Sequence, residues 1–189
     1  MKPGKASSII VLTSIGDGQE SYLESIGIEI SRLFGYPTVA MPLLDSIDFS
    51  YNIQRDQYHS TAILTRLAEL APPDAFKILA VTDRDLYIPI LTHVYGEAQL
   101  GGRACIVSTH RLSEGIPAGG DPERLRCRLM KEAVHELGHT FNLKHCPETR
   151  CIMHYCRKIE HVDRKSQAFC RYCRVLLQDE LDRAAEETP

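Results

Sequence analysis

Residues 135–145 read His-Glu-Leu-Gly-His-Thr-Phe-Asn-Leu-Lys-His, three imidazoles and one carboxylate within eleven positions. His135 and His139 are four apart, so on a helix they leave one face with their ring nitrogens close enough to share one ion. Glu136 is rotated about 100° from His135, which sets its carboxylate beside that ion as a base for a metal-bound water rather than as a ligand. His145 lies six residues beyond His139, too far to join the same face of a continuing helix. The chain must therefore turn sharply between them. Asn142 stands at the turn, and Asn is among the few non-glycine residues that tolerate the left-handed conformation needed to end a helix and swing His145 onto a third coordination position. Three protein ligands leave a fourth position for water, which separates a catalytic zinc site from a closed structural one. Zinc brings the pKa of such a water to about 7, and Glu136 then acts as general base, later passing the proton to a leaving amine. The reaction class this predicts is amide hydrolysis.

Outward from this run, the bulk numbers describe a globular protein. The chain has 189 residues, 43% hydrophobic and 25% charged, a balance that fits one domain with a real core and not a disordered or fibrous chain. A formal net charge of −3 argues against a surface built throughout for nucleic acid. The apolar run Ile9 to Leu12 is too short for a signal segment or a membrane span, so a soluble cytoplasmic protein is expected. In that compartment seven cysteines are metal ligands or core residues sooner than disulfides.

Five of the seven crowd the last quarter of the sequence. Cys146 and Cys151 form a Cys-x4-Cys pair, and Cys170 with Cys173 a Cys-x2-Cys pair. Four thiolates in two knuckles predict a closed tetrahedral zinc site that folds a segment too polar to hold itself by apolar burial; the alternative is a set of reduced surface thiols. Cys156 is the spare and could replace Cys151. Cys105, in an apolar strand, and Cys127, on the metal helix, read as small core residues. Between the two pairs, Met153 in a tight turn would give the three-histidine site a soft apolar floor, and Tyr155 could bring its hydroxyl to the metal or to an oxyanion.

The rest of the chain alternates strand and helix signals. Strands are expected at 7–13, 38–41 and 76–81, and helices at 22–34, where Leu23, Ile26, Ile30, Leu33 and Phe34 recur at helical spacing, and at 58–70 before Pro72-Pro73. This alternation suggests crossover connections and a largely parallel sheet. Thr82 to Asp85 reads as a turn, 94–100 as an edge strand, Gly101-Gly102 as a hairpin turn, and 104–108 as a central strand. Such an edge could take an extended peptide as an added strand. A loop over 115–120 leads to Asp121-Pro122, an N-cap with Pro at the first helical position, and a helix from about Glu123 to Leu143 that buries Leu125, Met130, Val134 and Leu137. A tail helix over 168–187 would bury Val175, Leu176 and Leu181.

His135-Glu-x-x-His139-x-x-Asn142-x-x-His145 followed by Met153 resembles the metzincin clan of zinc metalloproteases. The adjoining Cys146-x4-Cys151-x-Met153 and the later Cys170-x2-Cys173 are similar to the archaemetzincins, in which the same cysteines build a second zinc site. These motifs cover about residues 121–174; the N-terminal half is compatible with that fold but not specific for it. The resemblance implies a single compact α/β domain, with a mixed, mostly parallel twisted sheet and the active-site helix in an upper part (about 1–143) and the Met turn, zinc knuckle and C-terminal helix in a lower part (about 144–189). It implies His135, His139 and His145 as ligands of a catalytic zinc, Glu136 as base, Met153 as the turn residue, and the four cysteines as ligands of a structural zinc. Asn142 departs from the glycine usual in metzincins at little steric cost. The Met-x-Tyr arrangement resembles the astacin-like branch, where that tyrosine can ligate zinc. The expected partner is a peptide or protein substrate, and the expected state a monomer without membrane or nucleic acid. A rival reading keeps the metal sites without catalysis and makes the chain a binding module: residues 144–174 hold eight Lys or Arg against three Asp or Glu, a basic patch beside the knuckle that could meet nucleic acid or an acidic partner. The motifs leave endopeptidase and aminopeptidase both open.

Overall fold

The computed structural model describes residues 8–16, 18–117 and 120–187. Strand β1 (Ile9–Ile15) is apolar nearly throughout because both of its faces are covered, as in parallel sheets flanked by helices. It pairs in parallel with β2 (Thr38–Ala40) and with β5 (Ala75–Thr82), which pairs in parallel with β8 (Ala104–Ser108). Strand β7 (Gly96–Ala98) closes the order β2-β1-β5-β8-β7 and runs antiparallel to β8. The mixed, mostly parallel sheet expected from the alternation is therefore present, with the 94–100 segment at its edge.

Side-chain alternation divides the core. Ile10, Leu12, Leu79, Val81, Cys105 and Val107 face helices α1 (Glu20–Phe34) and α4 (Pro122–Thr140). Val11, Ile78, Ala80 and Ile106 face α2 (Ser60–Glu69), which contributes Ile63, Leu64 and Leu67. Helix α1 buries Leu23, Ile26, Ile30 and Phe34 and ends at Gly35 with φ 77°, whose N–H donates to Ser31 O at 3.0 Å. Phe34 then stacks on Phe141 at 5.0 Å and meets Phe169 edge-on at 6.1 Å. That aromatic contact ties the C-terminal segment to the α1 and α4 side of the sheet.

Several expectations are corrected. Tyr58 lies in a short strand, β4 (Gln57–His59), and α2 begins only at Ser60. With β3 (Tyr51–Asn52) and β6 (Leu86–Tyr87), β4 forms a second, three-stranded sheet, too short to give a periodic signal. Thr82 completes β5 instead of opening a turn, the 94–100 strand contracts to three residues, and the single-turn helix α3 (Thr109–Leu112) follows β8 directly. Helix α4 stops at Thr140, three residues early, because the left-handed residue that ends it needs room for a cap. Residues 118–119 of the expected 115–120 loop lie outside the described residues. After α5 (Ile159–Arg164), the tail helix α6 (Arg171–Glu187) starts three residues later than expected. Val175 on it is 55% exposed, while Cys173 and Leu177, one turn apart, are buried. The buried cysteine sets the rotation of this helix, and Val175 falls on the outer side. Cys127 is half-buried rather than a core residue, its Sγ accepting from Gln167 Nε2 at 3.1 Å.

Candidate metal centre

Helix α4 begins as its sequence dictates. Asp121 caps it by accepting from Arg124 N at 2.9 Å, and Pro122 sits where no backbone donor is needed. Leu129, Ala133, Val134 and Leu137 are buried against the sheet, which turns His135, Glu136 and His139 toward a cleft of about 880 Å³. The helix ends in a Schellman motif: Leu143 N–H donates to Gly138 O at 3.1 Å and Asn142 N–H to His139 O at 2.9 Å. Asn142 has φ 63°, the left-handed conformation expected of it. The same turn aims Leu143 O at His139 Nδ1, 2.6 Å away, so the residue that breaks the helix also orients the second imidazole.

His135 Nδ1 lies 2.8 Å from Ile152 O. A carbonyl oxygen only accepts, so both Nδ1 atoms carry the proton and both Nε2 atoms are bare lone pairs. These two Nε2 atoms nevertheless face each other at 3.2 Å. Two acceptors held that close without a proton between them are the arrangement a shared cation relieves. His145, on the open side of the cluster, completes a group whose ligand atoms lie within 4.8 Å of one another. Burial, then the Lys165 charge, pushes His135 well below the usual histidine range, and burial also lowers His139. Partial burial of its ring lowers His145 to about 4. All three are thus neutral, the form that binds a metal. The residues fit zinc.

Glu136 is buried beside them, and burial, followed by the nearby Glu132, lifts its carboxyl well above the usual range. It packs against the backbone of β7: a Cβ on Gly96 would lie 2.6 Å from Glu136 Cγ and 2.6 Å from Ile106 O. Beneath the helix, Met153 is fully buried, and a Cβ on Gly138 would meet its Sδ at 2.7 Å. Met153 O accepts from Cys146 N at 2.9 Å, which fastens the Met turn to the residue after His145. Tyr155 is not among the grouped donors. Its ring lies 4.9 Å from that of His145 and borders the cleft with Arg157, which sits 5.6 Å above it.

Cys146, Cys151, Cys170 and Cys173 form the second group, again within 4.8 Å, and no disulfide joins them. Cys146 Sγ and Cys170 Sγ are 3.8 Å apart, and four sulfurs about 2.3 Å from a common centre have tetrahedral edges of about 3.8 Å. Backbone N–H groups point at sulfur, Cys170 N to Cys151 Sγ at 3.3 Å and Cys173 N to Cys170 Sγ at 3.5 Å, as thiolates would require. Cys156 is excluded from the group and stands in the cleft wall, its thiol pushed up by burial to about 11.

Sequence reasoning missed Gly96, Gly138, Glu132 and Lys165. Lys165 was counted with the basic patch, yet its side chain is fully buried and paired with Glu132 at 2.7 Å. The two glycines take their meaning from what lies opposite them in space, and nothing in their local sequence marks it.

Three grouped imidazoles beside a buried carboxyl in a cleft fit a zinc hydrolase, and the family match makes the chain a zinc metallopeptidase. Within that class the chain belongs to peptidase family M54, whose family profile matches residues 4–179. It is 35% identical to the archaemetzincin of Methanocaldococcus jannaschii over 173 residues, 90% of this chain and 93% of that protein. It is 37% identical to that of Methanopyrus kandleri over 175 residues, 93% of each. The crystal structure of archaemetzincin from M. kandleri superposes with a TM-score of 0.82 at 33% identity, covering 97% of this chain and 100% of that one. The archaemetzincin of Archaeoglobus fulgidus, crystallised with malonate, gives 0.76 at 34% identity over 89% and 99%. No helix among the described residues is long and apolar enough to cross a membrane.

Proposed function

We propose that this metallopeptidase hydrolyses peptide bonds with His135, His139 and His145 as zinc ligands and Glu136 as the proton carrier. The observation that carries this reading is the 3.2 Å approach of two unprotonated Nε2 atoms next to a buried glutamate. Zinc bound there supplies a Lewis acid for water and for the scissile carbonyl. As a carboxylate, Glu136 would take the proton of the attacking water, and its burial would favour holding that proton until delivery to the leaving amine. Tyr155, at the cleft border, would offer its hydroxyl to the developing oxyanion. The open edge of β7 offers main-chain hydrogen bonds to an extended substrate. Asn142 serves as the turn that sets His139, and Met153 as the apolar floor. Cys146, Cys151, Cys170 and Cys173 hold a second, structural zinc, and the chain works as one monomeric domain with upper and lower parts meeting at the cleft.

A diverse peptide library incubated with the zinc-loaded protein and read by mass spectrometry tests this, with Glu136→Ala in parallel. Cleavage by the wild type alone is the expected result. Zinc bound by both proteins and cleavage by neither would refute the peptidase reading for these substrates and favour the binding-module one.

A further inference from the structure

The chemistry above leaves Glu132 and Lys165 unused, although they lie directly behind the imidazole cluster. Glu132 is on α4 one turn before His135 and Glu136 and borders the cleft; Lys165 follows α5. Their side chains are 4% and 0% exposed, and Lys165 Nζ lies 2.7 Å from Glu132 Oε1. That oxygen has no aligned hydrogen bond among the described residues; the contact is Coulombic. The ammonium instead aims at Ile152 O, 3.0 Å away. Ile152 O is the same oxygen that accepts from His135 Nδ1 at 2.8 Å.

Two donors therefore converge on one carbonyl, and its two lone pairs are both engaged. Stability alone is a poor account of the pair. Desolvating two charges costs about as much as their attraction returns, and apolar residues of similar volume often replace such pairs without loss. A carbonyl fixed from two sides, however, holds the ring plane and the tautomer of the imidazole that donates to it, and such outer contacts tune metal affinity. We propose that Lys165, held in place by Glu132, is a positioning residue for the first imidazole: it fixes the Ile152 carbonyl and thereby the orientation of His135 toward the metal. This rests on the three-histidine zinc site of the proposed function.

The test replaces the pair with apolar side chains, Glu132→Leu/Lys165→Met, and measures zinc affinity by chelator competition. Co2+ absorption separates imidazole-bound from thiolate-bound ion, and thermal unfolding monitors the fold. The double variant should unfold cooperatively yet hold the imidazole-bound ion about 10- to 100-fold more weakly, while Lys165→Arg, which keeps a donor at Ile152 O, should retain the affinity. Equal affinity in the double variant and the wild type would overturn the proposal and leave the pair as a plain anchor between α4 and the segment after α5. If the double variant does not fold, the isosteric Glu132→Gln decides: tenfold or greater weakening supports the role, and unchanged affinity overturns it. Peptide cleavage does not enter the readout. A wild type with no ion at its imidazoles would refute the functional reading itself, whereas a tight wild type matched by the double variant would refute only the positioning role.

Discussion

Gly96 shows how much of the site is invisible at the level of single residues. The histidines and Glu136 announce themselves by spacing, and Asn142 by its tolerance of positive φ, so the helix and the turn toward His145 are legible directly, though not the residue at which the helix stops. The need for glycine at position 96 comes from elsewhere in the chain. Its missing side chain is what lets Glu136 lie against the edge strand. Gly96→Ala sets a methyl against a backbone oxygen that cannot yield, so the glutamate must move. Expected is a fall in kcat of about 100-fold, the low end of what a general base contributes, with zinc content unchanged. Steady-state kinetics alongside metal analysis would check it, and unchanged kcat would count against the placement of Glu136.

Helix α5 holds the corresponding lesson for elements. Its six residues are too few for a periodic signal, and it is pinned by charges on α4. Arg128, 1% exposed, meets Asp163 with Nε and Nη2 at 2.7 Å each, and Lys131 Nζ donates to Val162 O and Asp163 O. Hydrogen bonding from Arg128 holds the Asp163 carboxyl far below its usual value. The folded value is depressed, so this stability is fully present above the unfolded value of about 3.9 and is lost as pH falls below it. Asp163→Asn leaves Arg128 buried without a counter-charge and should cost about 3 kcal/mol near pH 7. The difference from wild type should shrink below about pH 4. Urea unfolding across that range measures both, and a pH-independent difference would contradict the linkage. Long elements such as α1 and α4 were readable because one apolar stripe decides them. The orientation of α6 was not, since the buried Cys173, and not the apolar Val175, fixes its rotation.

At the scale of the whole molecule, alternating strands and helices foretold a mostly parallel sheet, but neither its order nor the small second sheet, because both depend on pairings between distant short segments. Residues 144–187 bring Ile152, Met153, Ile159, Val162, Phe169 and Leu177 to the core, and the four grouped sulfurs lie among them. On the proposed two-zinc reading, Cys173→Ser should reduce bound zinc from two ions per chain to one and expose the 146–173 segment to proteolysis, as loss of a structural zinc does. Metal analysis and limited digestion would show this; two ions retained would argue against the thiolate site.

The most direct check of the central claim is kcat/KM for the best-cleaved library peptide in the wild type and in Glu136→Gln, each at equal zinc content. A loss of about 100- to 10,000-fold with zinc retained is the expected result. Turnover by Glu136→Gln within a few-fold of wild type would contradict the assignment of the proton carrier, and with it the chemistry built on the three-histidine cluster.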